Sequence, residues 1–186
     1  MARIKVIDYV EATGELKEIY DDLIGKRGKL AEVHKIQSLN PATIVHHMDL
    51  YMSIMYARSP LSRAQREMMA VVVSAANNCE YCQIHHKQAL LHYWKDADRV
   101  DQLATDYSAI GLDLSEKAFC DLAYHLTANP SGEKVEQAIT TLKELGHDDR
   151  SILDAHLVIA YFNFVNRLVL GLGVALESDQ GEGYKY

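Results

Sequence analysis

The chain has 186 residues, a length that suits one domain with a substantial buried core. Hydrophobic residues make up 48% and charged residues 24%, a globular composition that excludes a disordered or fibrous chain. A net charge of -7 without a basic patch rich in aromatic residues argues against a nucleic-acid partner. The first residues, MARIKVIDYVEATGEL, contain no apolar stretch of signal-peptide length, so we expect a soluble, cytoplasmic protein.

The apolar residues are spaced as in helices almost throughout, and capping residues divide the pattern into separate elements. The valine run 71–73 favours a strand, but the helix formers before it and the lack of a turn signal indicate a helix. No Asn-Gly or Asp-Gly dipeptide occurs and no stretch alternates strictly over five residues, so the predicted fold is all-α. The predicted helices are, in chain order, one after Thr13, one from Pro41 to before Ser59, one capped by Ser62 with Gln65 completing a capping box, two at about 79–94 and 98–109, one capped by Ser115, one over 133–145 and one from Asp148 or Asp149 onward.

The last predicted helix contains the most apolar stretch, LVIAYFNFVNRLVLGLGVAL, which is long enough to raise the question of a membrane span. Asn163, Asn166 and Arg167 lie at its centre, where lipid would make them costly. We therefore expect a buried helix whose polar side chains are satisfied by hydrogen bonds or at a subunit interface. A helix that is apolar nearly all round also favours a homo-oligomer.

A faint internal repeat relates two segments of the chain. Residues 61–79 and 147–165 align without gaps at a shift of 86, with Asn77 opposite Asn163. The repeat suggests an internally duplicated helical motif, although two unrelated helices with the same pattern would look alike. We predict a single helical domain, 1–186, with a flexible tail at about 177–186.

Two of the three cysteines fall in the stretch NNCEYCQIHHK. With Asn78 as N-cap and a helix beginning at Cys79, the side chains of Cys79, Cys82 and His86 share one face, because residues three and four apart are neighbours on a helix. His85 is expected to point elsewhere.

This spacing predicts a redox dithiol with its own base. A thiol in the first helical turn faces free N–H groups and the positive end of the helix dipole, which stabilise a thiolate. Two thiols three residues apart can close a disulfide, and an imidazole one turn away can accept a proton from Cys82. The position nearest the helix terminus would make Cys79 the thiol with the lower pKa.

Other interpretations of the cysteines remain open at this point. Structural zinc needs four ligands, and the fourth would have to come from Cys120, Glu67 or another histidine. No second ligand pair is visible, so we expect no metal and no other cofactor. Two packed thiols without chemistry are the remaining alternative, and Cys120, at an apolar position, is expected in the core.

Glu67 lies among apolar residues on the helix that precedes the dithiol. It is either an exposed glutamate beside Arg63 and Arg66, or a partly buried carboxylate with a raised pKa that shuttles protons to the thiol and imidazole. His34 and the pair 46–47 could line a substrate entrance, although such histidines more often lie at the surface or between helices.

Glu67, Cys79-x-x-Cys82 and His86, at these spacings, resemble the signature of the alkylhydroperoxidase D-like (AhpD-like) family of the carboxymuconolactone decarboxylase superfamily. The segments PLSRAQREMMAVVVSAANNCEYCQIHH and AYFNFVNRLVLGLGV are similar to its peroxidase-related branch. The resemblance covers approximately residues 15 to 176.

The resemblance implies an all-helical AhpD-like bundle that assembles into trimers, hexamers or related homo-oligomers. It also implies that Cys82 attacks a hydroperoxide, with His86 removing its proton and Glu67 relaying protons. Cys79 would then form a disulfide with Cys82, and an external dithiol, either a small dithiol or a lipoyl- or thioredoxin-like protein, would reduce it.

One residue departs from the family pattern. The best-known members carry a second histidine between the two cysteines, where this chain has Tyr81, and a phenol is a poor base near neutral pH. Weak turnover is therefore one expectation. The alternatives are a dithiol redox sensor, an oligomeric binding protein without turnover, or a decarboxylase or lyase-type activity known elsewhere in the superfamily.

Overall fold

The computed structural model describes residues 2–179 and shows α-helices without β-strands over that range, as the sequence predicted. A single turn of 3-10 helix, Tyr107–Ala109, extends the sixth helix. The α-helices are α1 (Gly14–Arg27), α2 (Glu32–Lys35), α3 (Pro41–Met55), α4 (Arg63–Ala76), α5 (Glu80–Trp94), α6 (Ala97–Asp106), α7 (Leu114–Ala128), α8 (Glu133–Glu144) and α9 (Asp149–Leu172).

Most predicted helix starts agree with the structure, and the differences have local causes. The Ser62 capping box is present, with the Ser62 hydroxyl accepting from the Gln65 amide and the Gln65 side chain accepting from the Ser62 amide. The start of α7 was placed too late, because its N-cap is Asp113, which forms a capping box with Glu116. The short helix α2 was not predicted, since four residues are too few to show a helical period.

The central helix of the fold is α4, which packs against α5, α6, α7 and α9. All residues from 66 to 74 are buried, so no polar face remains on this part of the helix. The valine run 71–73 is at most 2% exposed. A run of β-branched residues fits here because α4 is surrounded on every side by other helices. The sequence pattern alone cannot distinguish such a buried helix from a buried strand.

The apolar helix α9 is long and apolar enough to cross a membrane by length and composition. In the fold it packs on α3, α4, α7 and α8. Its asparagines are satisfied as predicted: Asn77 Nδ2 donates to Asn163 Oδ1 (3.0 Å) and to Asn166 Oδ1 (3.1 Å). Asn77 and Asn163, the equivalent positions of the faint repeat, thus join α4 to α9.

The end of the described chain folds back over the bundle. Glu177 contacts the starts of α2 and α5, and Asp179 forms an ion pair with Lys29 (2.7 Å). The tail predicted at about 177–186 is therefore held at its beginning, and residues 180–186 lie outside the described range.

Candidate functional site

The dithiol is positioned by the sharp connection between α4 and α5. Asn78 adopts a left-handed backbone conformation (φ 54°), and the Cys79 amide donates to the Ser74 carbonyl (2.8 Å). Cys79 is consequently the N-cap of α5, and the helix begins at Glu80, one residue later than predicted. The shift leaves the three-residue spacing of Cys79 and Cys82 unchanged.

Cys79 and Cys82 are free, buried thiols whose Sγ atoms lie 2.8 Å apart. Hydrogen bonding to Cys82, opposed by burial and supported by the Cys82 backbone, lowers the pKa of Cys79 below its usual range. The same hydrogen bond, together with burial, raises the pKa of Cys82. Cys79 is therefore the thiol of the pair with the lower pKa, the order expected from the sequence, but the cause is its hydrogen bond with Cys82 rather than the helix terminus.

Glu67 and His86 bring α4 and α5 together beside the dithiol. Glu67 Oε2 lies 2.7 Å from His86 Nδ1, and Glu67 is fully buried. Arg63 binds the other carboxylate oxygen, Oε1, through Nε (2.9 Å) and Nη2 (2.6 Å). The carboxylate thus lies between a guanidinium and an imidazole.

The expected raised pKa of Glu67 was wrong. Burial raises the pKa of this carboxyl, but the charge and hydrogen bond of His86 and those of Arg63 outweigh burial and lower it. Glu67 is an anion that accepts the His86 Nδ1 proton, which leaves His86 Nε2 as the nitrogen able to act as a base. The alternative of an exposed Glu67 is also wrong, because the side chain is fully buried. That alternative was right in placing Glu67 beside Arg63.

A cavity of about 90 Å³ reaches one sulfur of the dithiol. Cys82 lines it, while Cys79 does not. His85 lines it as well, contrary to the expectation that it points elsewhere, because residues 82 and 85 are also neighbours on a helix face. The walls are mainly rings and apolar side chains, contributed by Arg27, Ala31, Val33, His34, His47, Met48, Tyr51, Tyr81, His85, His86, Ala89, Tyr161, Phe162 and Val165.

Tyr81, the departure from the family pattern, takes part in a different contact set. Its hydroxyl donates to Glu177 Oε1 (2.7 Å), and its ring lies against His85, with ring centroids 4.3 Å apart. Glu177 Oε2 lies 3.1 Å from His85 Nε2. Burial opposes ionisation of Glu177, yet the nearby His85 and the hydrogen bond from Tyr81 lower its pKa to about 2. The end of the chain thereby holds one wall of the cavity.

The remaining candidate histidines divide between cavity and surface. His34 and His47 line the cavity, and burial lowers their pKa to about 3 and about 4, so both are neutral near neutral pH. His46 is exposed on α3. The sequence analysis treated His46 and His47 as a pair. In the fold, α3 packs on α9, and only His47 of the two lines the cavity.

Cys120 lies outside the dithiol, and its position bears on the alternative of a metal site. Cys120 is fully buried in the core, where burial raises the pKa of its thiol. Among residues 2–179, no group of three or more His, Cys, Asp or Glu side chains is arranged to hold a metal ion.

The fold and its dithiol cavity define the AhpD-like class of all-helical proteins, and comparison with known proteins agrees. The carboxymuconolactone decarboxylase family matches residues 46–123, which include the dithiol.

Three solved structures share the fold. An uncharacterized peroxidase-related protein from Ralstonia eutropha JMP134, described as an alkylhydroperoxidase AhpD core, has a TM-score of 0.83 and 23% identity over 99% of this chain and 98% of its own. A peroxidase-related protein from Silicibacter sp. TM1040 has a TM-score of 0.82 and 26% identity over 100% of both chains. The debrominase Bmp8 in complex with 2,3,4-tribromopyrrole has a TM-score of 0.79 and 15% identity over 97% of this chain and 96% of its own.

The chain therefore has the AhpD-like fold, and its central residues 46–123 match the carboxymuconolactone decarboxylase family. The structural similarity extends over the whole length of the relatives, whereas the family match covers the central helices that carry the site.

Proposed function

We propose that the protein is a thiol-dependent peroxidase that reduces hydroperoxides through Cys82 and Cys79. The observation that carries the proposal is the position of Cys82: it is the sulfur that lines the cavity, together with His86, whose other ring nitrogen faces an ionised Glu67. The nucleophile and the base thus line the same cavity, and the base is bonded to the residue that orients it, which are the parts that nucleophilic thiol chemistry uses.

The proposed reaction consumes one peroxide and the two thiol protons. His86 Nε2 takes the Cys82 proton, and the sulfur attacks one peroxide oxygen while the O–O bond breaks. The other oxygen leaves with the bonding electrons and receives the proton from His86, giving an alcohol or water. Cys79 then attacks the Cys82 sulfenic acid, forms a disulfide and releases water.

The two cysteines differ in access and acidity in a way that suits these roles. Cys82 reaches the cavity, so it is the sulfur that a peroxide can meet. Cys79 is fully buried, its pKa is lowered, and its sulfur lies 2.8 Å from that of Cys82, so it is placed to lose its proton and attack the sulfenic acid. An external dithiol would complete the cycle by reducing the disulfide.

Turnover in the presence of a regenerating dithiol tests this function against a redox sensor. With tert-butyl hydroperoxide and dihydrolipoamide, we expect each chain to consume many equivalents of peroxide, followed as loss of peroxide over time. A single equivalent per chain, unchanged by added dithiol, would instead identify a sensor that oxidises once. A rate no greater than that of free cysteine would reject both.

The ring-lined cavity favours reductive dehalogenation as a second candidate function. Several aromatic and imidazole rings surround Cys82, which suits a flat ring as ligand. The debrominase with the same fold was solved with a brominated pyrrole. In such a reaction the two thiols supply two electrons, so that a C–Br bond becomes C–H while a disulfide and HBr form. Incubation of the reduced protein with tribromopyrrole, with bromide release as readout, distinguishes the two candidates.

The outer surface of α9 supports a proposal about assembly. Three large apolar side chains on one face of this helix are 42–54% exposed although the opposite face is buried. Such a stripe on a helix is expected to be covered by another copy of the chain. We expect light scattering to give a multiple of 21.0 kDa for the wild type and a smaller mass after Phe164→Asp. A monomer mass for the wild type would reject the homo-oligomer. The three side chains are Leu153, Leu157 and Phe164.

A further inference from the structure

A chain of hydrogen bonds with a defined direction leads from α2 to the cavity. Gln37 Nε2 lies 2.9 Å from the Val33 carbonyl oxygen, which can only accept, so this atom is the amide nitrogen. Its second N–H points at His47 Nδ1, 2.8 Å away. His47 therefore accepts at Nδ1.

The single proton of His47 then lies on the other ring nitrogen. Burial lowers the pKa of His47 to about 4, so the ring carries one proton near neutral pH. That proton, on Nε2, is donated to Tyr161 Oη at 2.6 Å. Tyr161 is thus an acceptor in this bond, which is the one hydrogen bond of its hydroxyl among residues 2–179, so its own hydroxyl hydrogen has no acceptor there.

The free hydroxyl hydrogen lies where the proposed reaction develops charge. Tyr161 is 6% exposed and lines the same cavity as Cys82 and His86. Phe162 and Val165 line the cavity beside it, and their apolar side chains offer no acceptor for its hydrogen bond. A buried polar group left with an unused donor is costly unless a ligand completes it.

We propose that the Tyr161 hydroxyl donates a hydrogen bond to the peroxide oxygen that leaves as Cys82 attacks, which makes Tyr161 a catalytic residue positioned by His47 and Gln37. This assignment rests on the proposed peroxidase function. As the O–O bond breaks, its electron pair goes to the leaving oxygen, and the Tyr161 hydrogen bond stabilises the negative charge there. Tyr161 loses no net proton, since the proton that ends on the alcohol is the one His86 took from Cys82.

The electrostatic environment keeps Tyr161 in the form that can donate. Burial, followed by the neighbouring Tyr51 and Cys82, raises the pKa of Tyr161 well above its usual range. The phenol therefore stays protonated in the resting site and becomes a stronger partner only when a more basic oxygen forms in front of it. This is the differential stabilisation that a catalytic donor needs.

The variant Tyr161→Phe removes this hydrogen and keeps the ring. We expect the second-order rate of Cys82 oxidation by tert-butyl hydroperoxide to fall about 10- to 100-fold, because one hydrogen bond to a charged oxygen is lost. With peracetic acid, whose leaving acetate is a weak base and needs little stabilisation, we expect a change of less than about threefold. Rapid quenching followed by mass spectrometry of the thiols measures both rates.

The control variant is Tyr20→Phe, which removes another buried tyrosine hydroxyl, bonded to the Ile7 carbonyl at 3.0 Å and outside the cavity. Both rates should be unchanged in this control. Equal loss with both oxidants in Tyr161→Phe, or no loss with either, would overturn the catalytic role while leaving the peroxidase function intact. Wild-type rates no faster than free cysteine with either oxidant would overturn the function and this inference together.

Discussion

Cys82→Ser is expected to abolish peroxide consumption, with a loss of ~1000-fold or more, because a serine hydroxyl cannot replace the thiolate as nucleophile. Cys79→Ser is expected to behave differently. Cys82 still lines the cavity beside His86 in that variant, so it should react once and accumulate as a sulfenic acid. Labelling with dimedone and intact-mass measurement after one equivalent of peroxide distinguish the two variants.

Cys120→Ser is the matched control for these cysteine variants. Cys120 is fully buried away from the cavity, and burial raises the pKa of its thiol, so its loss should leave peroxide consumption unchanged. The roles are reversed if Cys79→Ser is inactive and Cys82→Ser forms the sulfenic acid. In that case acidity rather than access to the cavity selects the attacking sulfur.

Glu67→Gln is expected to produce the largest loss of stability among single substitutions at the site. Glu67 is fully buried between Arg63 and His86, and the neutral amide would leave the Arg63 charge without its anion. Breaking a buried ion pair costs about 3–5 kcal/mol, and Arg63 keeps hydrogen bonds to Met55 and Tyr51, so we expect the free energy of unfolding to fall by about 2–4 kcal/mol. Urea unfolding at pH 7 measures this change.

The pH dependence of the Glu67 effect has a defined sign. The pKa of Glu67 lies below its ordinary value of 4.5, so its contribution to stability is present above 4.5 and is lost as the pH falls through the folded-state pKa. The difference in unfolding free energy between wild type and Glu67→Gln should therefore shrink in acid. A difference that is constant from pH 7 to pH 3 would contradict an ionised Glu67.

The same variant tests the orientation of the base. Without the carboxylate, His86 loses the partner that places its proton on Nδ1, and we expect Cys82 oxidation to slow about 100-fold. Glu136→Gln, at an exposed position on α8, is the control for which stability and rate should be unchanged. Wild-type stability and rate in Glu67→Gln would show that the buried carboxylate has neither role.

The sequence by itself determined the elements and the spacing of the dithiol. Caps and helical periods depend on residues a few positions apart, which is why α4 with its Ser62 capping box, and the placement of Cys79, Cys82 and His86 near the start of one helix, were predictable. The same local rules put the N-cap of α5 one residue too early, because the left-handed turn at Asn78 is set by how α4 ends.

Only the tertiary structure decided the electrostatics and the walls of the site. The contacts that matter join residues far apart in the chain: Glu67 with His86, Tyr81 with Glu177, and His47 with Tyr161. The pKa of a buried group depends on which charges surround it, so Glu67 could not be assigned before Arg63 was seen against it. The direction of a hydrogen bond likewise depends on both partners, so Tyr161 became a candidate donor only once His47 and Gln37 were in place.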